Sequence, residues 1–185
     1  MTSVSRQRGN IYADIQEPKY SIMSYTWGRY TVPSGPSLGV KGVSWPIPAI
    51  DEARFQVADF ERVLKKAGQS NRFVWVDIAC IDQEDHDAKM KEVGRQAGIF
   101  ANADRAYIWL WTLPLEPLQR AIDTIVKYGF NMPEVIMDDG TVPEMASALS
   151  KAIPLVLDDF WFSSLWTLQE GFLREDAILL SPIPT

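Results

Sequence analysis

The stretch from Phe73 to Asp87, FVWVDIACIDQEDHD, decides how this chain is read. Val74, Val76 and Ile78 alternate with Trp75 and Asp77, and β-branched and aromatic side chains dominate, as they do in strands. So apolar a run suits a strand over residues 73–79 covered on both faces, the situation of a parallel sheet. Polar residues then gather where that strand would end: Asp77, Asp82 and Gln83. Ligands of open α/β sheets sit beyond the carboxyl ends of the strands. This end of the stretch is therefore the first place to look for function.

Working outward, Tyr20 to Trp27 reads as an earlier strand stopped by Gly28, after a loose lead-in over residues 1–18. Residues 29–48, rich in proline and glycine, read as a loop or a short irregular hairpin. Between Asp51 and Gly68 the apolar residues Ala53, Val57, Phe60, Leu64 and Ala67 recur at helical spacing. Asp51 and Glu52 suit the start of that helix, and Lys65 and Lys66 suit its end. A second helix is expected from Asp85 or Asp87, with Met90, Val93, Ala97 and Phe100 on one face. Gly94 and Gly98 on it would allow a neighbour to approach closely. A strand over Ala106–Trp111 follows, then helices over Leu115–Tyr128 and Glu144–Ile153, with Pro154 kinking or ending the latter. A turn-rich connection at 129–142, a helix over Phe160–Phe172 and a strand over Ala177–Leu180 complete the pattern. The order β-α-β-α-β implies a parallel, right-handed α/β sheet in a single domain over 19–185.

Composition excludes more than it identifies. The chain has 185 residues, 46% hydrophobic and 23% charged, enough for one real core. A net charge of −6 opposes nucleic-acid or anionic-membrane binding. The single cysteine, Cys80, excludes an internal disulfide and a cysteine-cluster zinc site. The start carries no apolar segment of the signal-peptide kind, and no apolar run reaches the ~20 residues of a spanning helix. A cytoplasmic location is the expectation. Neither standard phosphate-cradling glycine loop occurs, and the one histidine, His86, reads as part of a solvated helix start rather than a triad. The acids at 82, 84, 85 and 87 lack the glycine and spaced glutamate of a calcium loop. No metal or bound cofactor is expected.

Three segments together resemble the heterokaryon-incompatibility (HET) domain of filamentous fungi. Tyr20–Gly28, YSIMSYTWG, is similar to its Y-x-x-L-S-Y-x-W-G opening. Val74–Gln83, VWVDIACIDQ, is similar to its W-I-D-x-x-C-I-N-Q core, continuing through Phe100–Ala103 and Ile108–Leu110. Trp161–Glu170, WFSSLWTLQE, is similar to its W-x-x-R-x-W-x-x-Q-E close. Asp82 stands where the family usually has asparagine, and Ser164 where it usually has arginine. The resemblance implies fungal non-self recognition that triggers programmed cell death. The HET family is in turn distantly similar to TIR domains, which implies a three-layer, flavodoxin- or TIR-like parallel sheet with a helical insertion at about 112–160.

Some TIR domains cleave NAD⁺ with a glutamate in Ser-x-Trp-x-x-x-Glu. Here Ser164, Trp166 and Glu170 have that spacing. The resemblance thus nominates Glu170 as the catalytic carboxylate and NAD⁺ as the substrate. Such a carboxylate can hold a ribose hydroxyl and stabilise oxocarbenium-like charge. Candidate substrate-binding residues are Ser24, Tyr25, Trp27, Gly28, Asp77, Asp82, Gln83 and Trp166. Plainer readings stand beside these: Glu170 as a capped or solvated helix acid, Trp166 as core, Tyr25 and Trp27 as packing on the insertion, Asp77 as a brace for the Tyr25–Gly28 loop, Cys80 as buried filler, Gly28 as a backbone requirement, and Asp82 with Gln83 as a loop-fixing pair. An alternative function is a non-catalytic module that self-associates or binds a receptor or other signalling partner. A third is a degenerate or partial copy.

Overall fold

The computed structural model describes residues 1–130 and 141–182. The main elements are β1 (Tyr20–Ser24), α1 (Val57–Ala67), β2 (Phe73–Trp75), α2 (His86–Val93), α3 (Gln96–Ala101), β3 (Arg105–Trp109), α4 (Leu115–Ile125), α5 (Thr141–Leu157), α6 (Leu165–Leu173) and β4 (Ile178–Leu180). The expected mixed α/β architecture with a parallel sheet holds. The strand order is β2-β1-β3-β4, every pair parallel.

The stretch from Phe73 occupies a different place from the one its composition suggests. β2 is an edge strand, and its three residues are only half-buried. The central strand is β1, of which Ser21–Ser24 are all buried. β2 also ends early: Asp77–Cys80 is a single helical turn, not strand. The Asp77 side chain accepts the Ile78 N–H at 2.7 Å, a local bond that competes with the strand ladder. The apolar alternation continues only because Ile78 and Ala79 are the buried side of that turn.

Alternation along β1 sorts the core. Met23 and Tyr25 pack with Phe60, Val63, Leu64 and Ala67 of α1 and with Tyr107 and Trp109 of β3. Ile22 faces the other way, against Phe100 of α3 and Ala106. Further along that face Ile108 and Leu110 meet Leu118 and Ala121 of α4, Ala152 and Val156 of α5, and Trp161.

Several boundaries differ from the sequence expectation. Residues 6–16 hold three short antiparallel strands rather than a loose lead-in, turning through positive φ at Gly9, Asn10 and Ala13. Thr31–Val32 pairs antiparallel with Ala49–Ile50, so the 29–48 segment is a long hairpin-like excursion. α1 starts at Val57, because Asp51 closes its own turn by accepting the Ala53 N–H at 3.0 Å. The helix expected from Asp85 is two helices separated at Gly94–Arg95. Met90 is 54% exposed, and a Cβ at Gly98 would meet nothing, so among the described residues no neighbour uses that glycine pair. α4 passes into a π turn over Val126–Phe130 that contains Gly129. α5 runs through Pro154, which sits inside it. The helix expected over Phe160–Phe172 is a 3-10 turn, Phe160–Ser163, then extended Ser164, then α6. The expected turns at Pro133 and 138–140 lie outside the described residues.

Candidate functional site

Ser24 closes β1 and points to the face that Ile22 occupies. Its hydroxyl donates to Glu170 Oε2 at 2.5 Å and accepts the Trp161 indole N–H at 2.7 Å. From α3, Gln96 Nε2 donates to Glu170 Oε1 at 2.7 Å. Glu170 is 8% exposed, Gln96 8%, Ser24 3% and Trp161 3%. Both carboxyl oxygens are therefore held in a nearly dry setting at the carboxyl end of the central strand. This is also where the chain reverses direction across the sheet, β2 lying on one side of β1 and β3 on the other.

Burial pushes the Glu170 carboxyl up to about 8, against the opposing hydrogen bonds from Ser24 and Gln96. The negative charge of Asp77 pushes the same way. Loss of water disfavours the charged form of an acid, so Glu170 is mostly neutral at pH 7. Asp77, heading the turn after β2, accepts the Tyr25 hydroxyl and the Ile78 N–H. Burial raises the Asp77 carboxyl from its ordinary value. Burial and Asp77 together hold Tyr25 protonated as the donor.

α6 can bring Glu170 here because Gly171 has no side chain. A Cβ there would lie 2.7 Å from Cη2 of Trp161. Thr167, one turn earlier, donates its hydroxyl to the Trp161 carbonyl. Asp159, 1% exposed, accepts the Trp161 N–H at 2.9 Å with one oxygen and the Thr112 N–H at 3.1 Å with the other. Arg29 donates to the Ser163 Oγ at 2.9 Å and carbonyl at 2.8 Å. The turn ahead of α6 is thus fastened to the ends of β1 and β3.

Of the sequence candidates, the structure joins Ser24 directly to Glu170 and Tyr25 directly to Asp77. It does not bring the rest together. Trp27 is 2% exposed, donates to the Pro48 carbonyl at 3.2 Å and packs on Phe55 and Phe60, in the core. Gly28 is exposed, without a positive φ, and a Cβ there would meet nothing. No backbone requirement explains it. Asp82 accepts the Glu84 and Asp85 N–H groups, and Gln83 donates to the Ile81 carbonyl. Their bonds are local, as in a loop-fixing pair. Trp166 is 45% exposed and so not core. Cys80 is exposed rather than a buried filler. Gln96 and Trp161 were missed as site residues. Gln96 carried a signal, since a polar side chain falls between Val93 and Phe100 on the helix stripe.

A cavity of about 270 Å³ lined by Asp104, Arg105, Ala106, Asp176 and Ile178 lies at the opposite rim, where β3 and β4 begin. Beside it Arg174 forms a bidentate pair with Asp176 and donates to the Phe100 and Ala103 carbonyls. That arrangement is a structural tether, well away from Ser24.

No solved structure matches the chain. Heterokaryon incompatibility protein 6, OR allele, of Neurospora crassa is 22% identical over 133 residues, which cover 57% of this chain and 19% of that protein. The chain therefore spans about a fifth of that relative's length. The family model described as heterokaryon incompatibility protein (HET) matches residues 20–170, from the first residue of β1 to the buried acid. With its first and last signature segments meeting at Ser24, Trp161 and Glu170, the chain belongs to the HET family.

Proposed function

We propose that this chain acts in fungal heterokaryon incompatibility and triggers cell death on non-self recognition by hydrolysing the glycosidic bond of NAD⁺ in the cytoplasm. The observation that carries this reading is the setting of Glu170: both its oxygens are held by residues of two other elements, at the carboxyl end of the central strand. The order β2-β1-β3-β4 is that of the first four strands in the flavodoxin-like arrangement, which supports a TIR-like reading. Ligands of such sheets bind where β1 and β3 part. There the ionised Glu170 would hold a ribose hydroxyl and stabilise positive charge as nicotinamide leaves. Asp77 and Tyr25 brace the adjoining loop. The test is release of nicotinamide from NAD⁺ by the purified chain, over a range of protein concentration. Activity that survives Glu170→Ala removes the assignment.

A second reading, a non-catalytic association module, is favoured by the outer face of α6. Leu165 is 86% exposed, Trp166 45%, Leu168 43% and Phe172 79%. Exposed apolar patches of this kind mark interaction surfaces. Cell killing by a Glu170→Ala variant would support this reading over the enzymatic one.

A further inference from the structure

We propose that Tyr30, Trp111 and Phe160 form a stacking site for the flat base of a nucleotide. The proposal rests on the nucleotide reading above and extends it to residues that no motif singled out. Trp111 and Phe160 are nearly parallel, 11° apart, with centroids separated by 6.3 Å. Face-to-face carbon contact lies at about 3.5–4 Å, so each ring keeps π surface that the other does not cover. Tyr30 stands at 81° to Trp111 and 79° to Phe160, with centroids 5.5 Å and 6.0 Å away. The three rings come from the turn after β1, the end of β3 and the turn ahead of α6.

The box is built and held. Asp159 bonds both the residue after Trp111 and the residue after Phe160, which sets the spacing of the two walls. Tyr30 is 7% exposed, whereas Phe160 is 38% exposed, so Phe160 offers more open ring surface than Tyr30. Burial raises the Tyr30 hydroxyl from its ordinary value, with the neighbouring Trp111 indole pulling the other way, and among the described residues neither buried polar atom makes a hydrogen bond of ordinary geometry. Buried polar atoms are rarely left so, and a base supplies ring nitrogens and amino groups to pair with them. The rim is cationic: the Arg54 guanidinium lies 6.0 Å over the Tyr30 ring, and exposed Arg29 sits on Ser163. On a chain of net charge −6 this is a local exception that suits phosphate. The box and the acid also share one turn, because Phe160 precedes Trp161, which holds Ser24 against Glu170.

Calorimetric titration of the chain with AMP and with ribose 5-phosphate tests this. The base should make AMP bind at least five-fold more tightly than the sugar phosphate. Trp111→Leu and Phe160→Leu, with circular dichroism unchanged, should each weaken AMP by about five- to a hundred-fold, the range for loss of one base stack. Ribose 5-phosphate affinity should stay level. AMP that fails to bind, binds no better than the sugar phosphate, or ignores both variants overturns the proposal. The two readings fail separately. Absent NAD⁺ cleavage with AMP binding that depends on Trp111 and Phe160 keeps the base site and removes the hydrolase. NAD⁺ cleavage through Glu170 with KM and AMP affinity unmoved by the leucine variants does the reverse.

Discussion

Glu170 governs how the fold responds to pH. Its carboxyl titrates near 8 in the folded state, against about 4.3 for an unperturbed glutamate. Between those values the folded chain binds more protons than the unfolded one. Stability therefore falls as pH climbs through that window and levels off above it. Glu170→Gln keeps the shape and removes the proton. Melting curves from pH 5 to 9 should show a much flatter pH dependence for the variant, with a gain on the order of 2–4 kcal/mol at pH 8.5, since each pKa unit is worth about 1.4 kcal/mol. Asp77, displaced in the same direction by burial, contributes a slope of the same sign that remains in the variant. A variant as pH-sensitive as the native chain would show that Glu170 is not the buried acid described. The same titration gives the enzymatic reading a pH signature: if ionised Glu170 does the chemistry, kcat/KM for NAD⁺ should rise through about pH 8. Ser24→Ala removes one donor to that acid and strands the Trp161 indole N–H. Leaving a buried donor unpaired should cost about 1–3 kcal/mol by chemical denaturation.

At the scale of elements, α6 and the 3-10 turn before it act as one piece, locked by the contact of Gly171 with Trp161. Gly171→Ala places a methyl 2.7 Å from a rigid ring. It should destabilise by about 1–3 kcal/mol, as overpacking does, and near-ultraviolet circular dichroism should report the displaced tryptophan. Unchanged stability would mean that the helix slides freely. The outer face of α6 makes a separate prediction. Leu165→Asp with Phe172→Asp, two positions far from the Glu170 side of the helix in exposure, should abolish any concentration-dependent self-association seen by ultracentrifugation. Part of this element structure is legible in the sequence: Val57, Phe60, Leu64 and Ala67 recur at helical spacing and line the buried face of α1, whereas Ala53, in the same series, is exposed ahead of it. The misses share a cause. Asp51 and Asp77 bond local backbone N–H groups and so decide where an element begins or ends, while periodicity only says that one exists. Trp161 and Trp166 are alike in composition, yet one is 3% and the other 45% exposed. Nothing in WFSSLW announces that Ser164 is extended and that the two rings belong to different elements.

Across the whole molecule, strand order and long-range bonds decide what surrounds Glu170. The composition of the run from Phe73 predicts a covered strand, whereas the strand it forms is an edge. Strand order depends on long-range pairing that no local pattern encodes. The resemblance of three separate segments nominated Ser24, Tyr25, Asp77 and Glu170, and the fold links these in two bonded pairs. Gln96 and Trp161 complete the group through tertiary contacts 74 and 137 residues apart in sequence. The bond between Ser24 and Glu170 spans 146 residues. Contacts so distant along the polymer must await closure of a long loop, which slows their formation. A nascent chain emerging from a ribosome would therefore carry a finished central strand for many seconds before its acid arrives. Whatever this buried acid does, it cannot begin until residue 170 has been made.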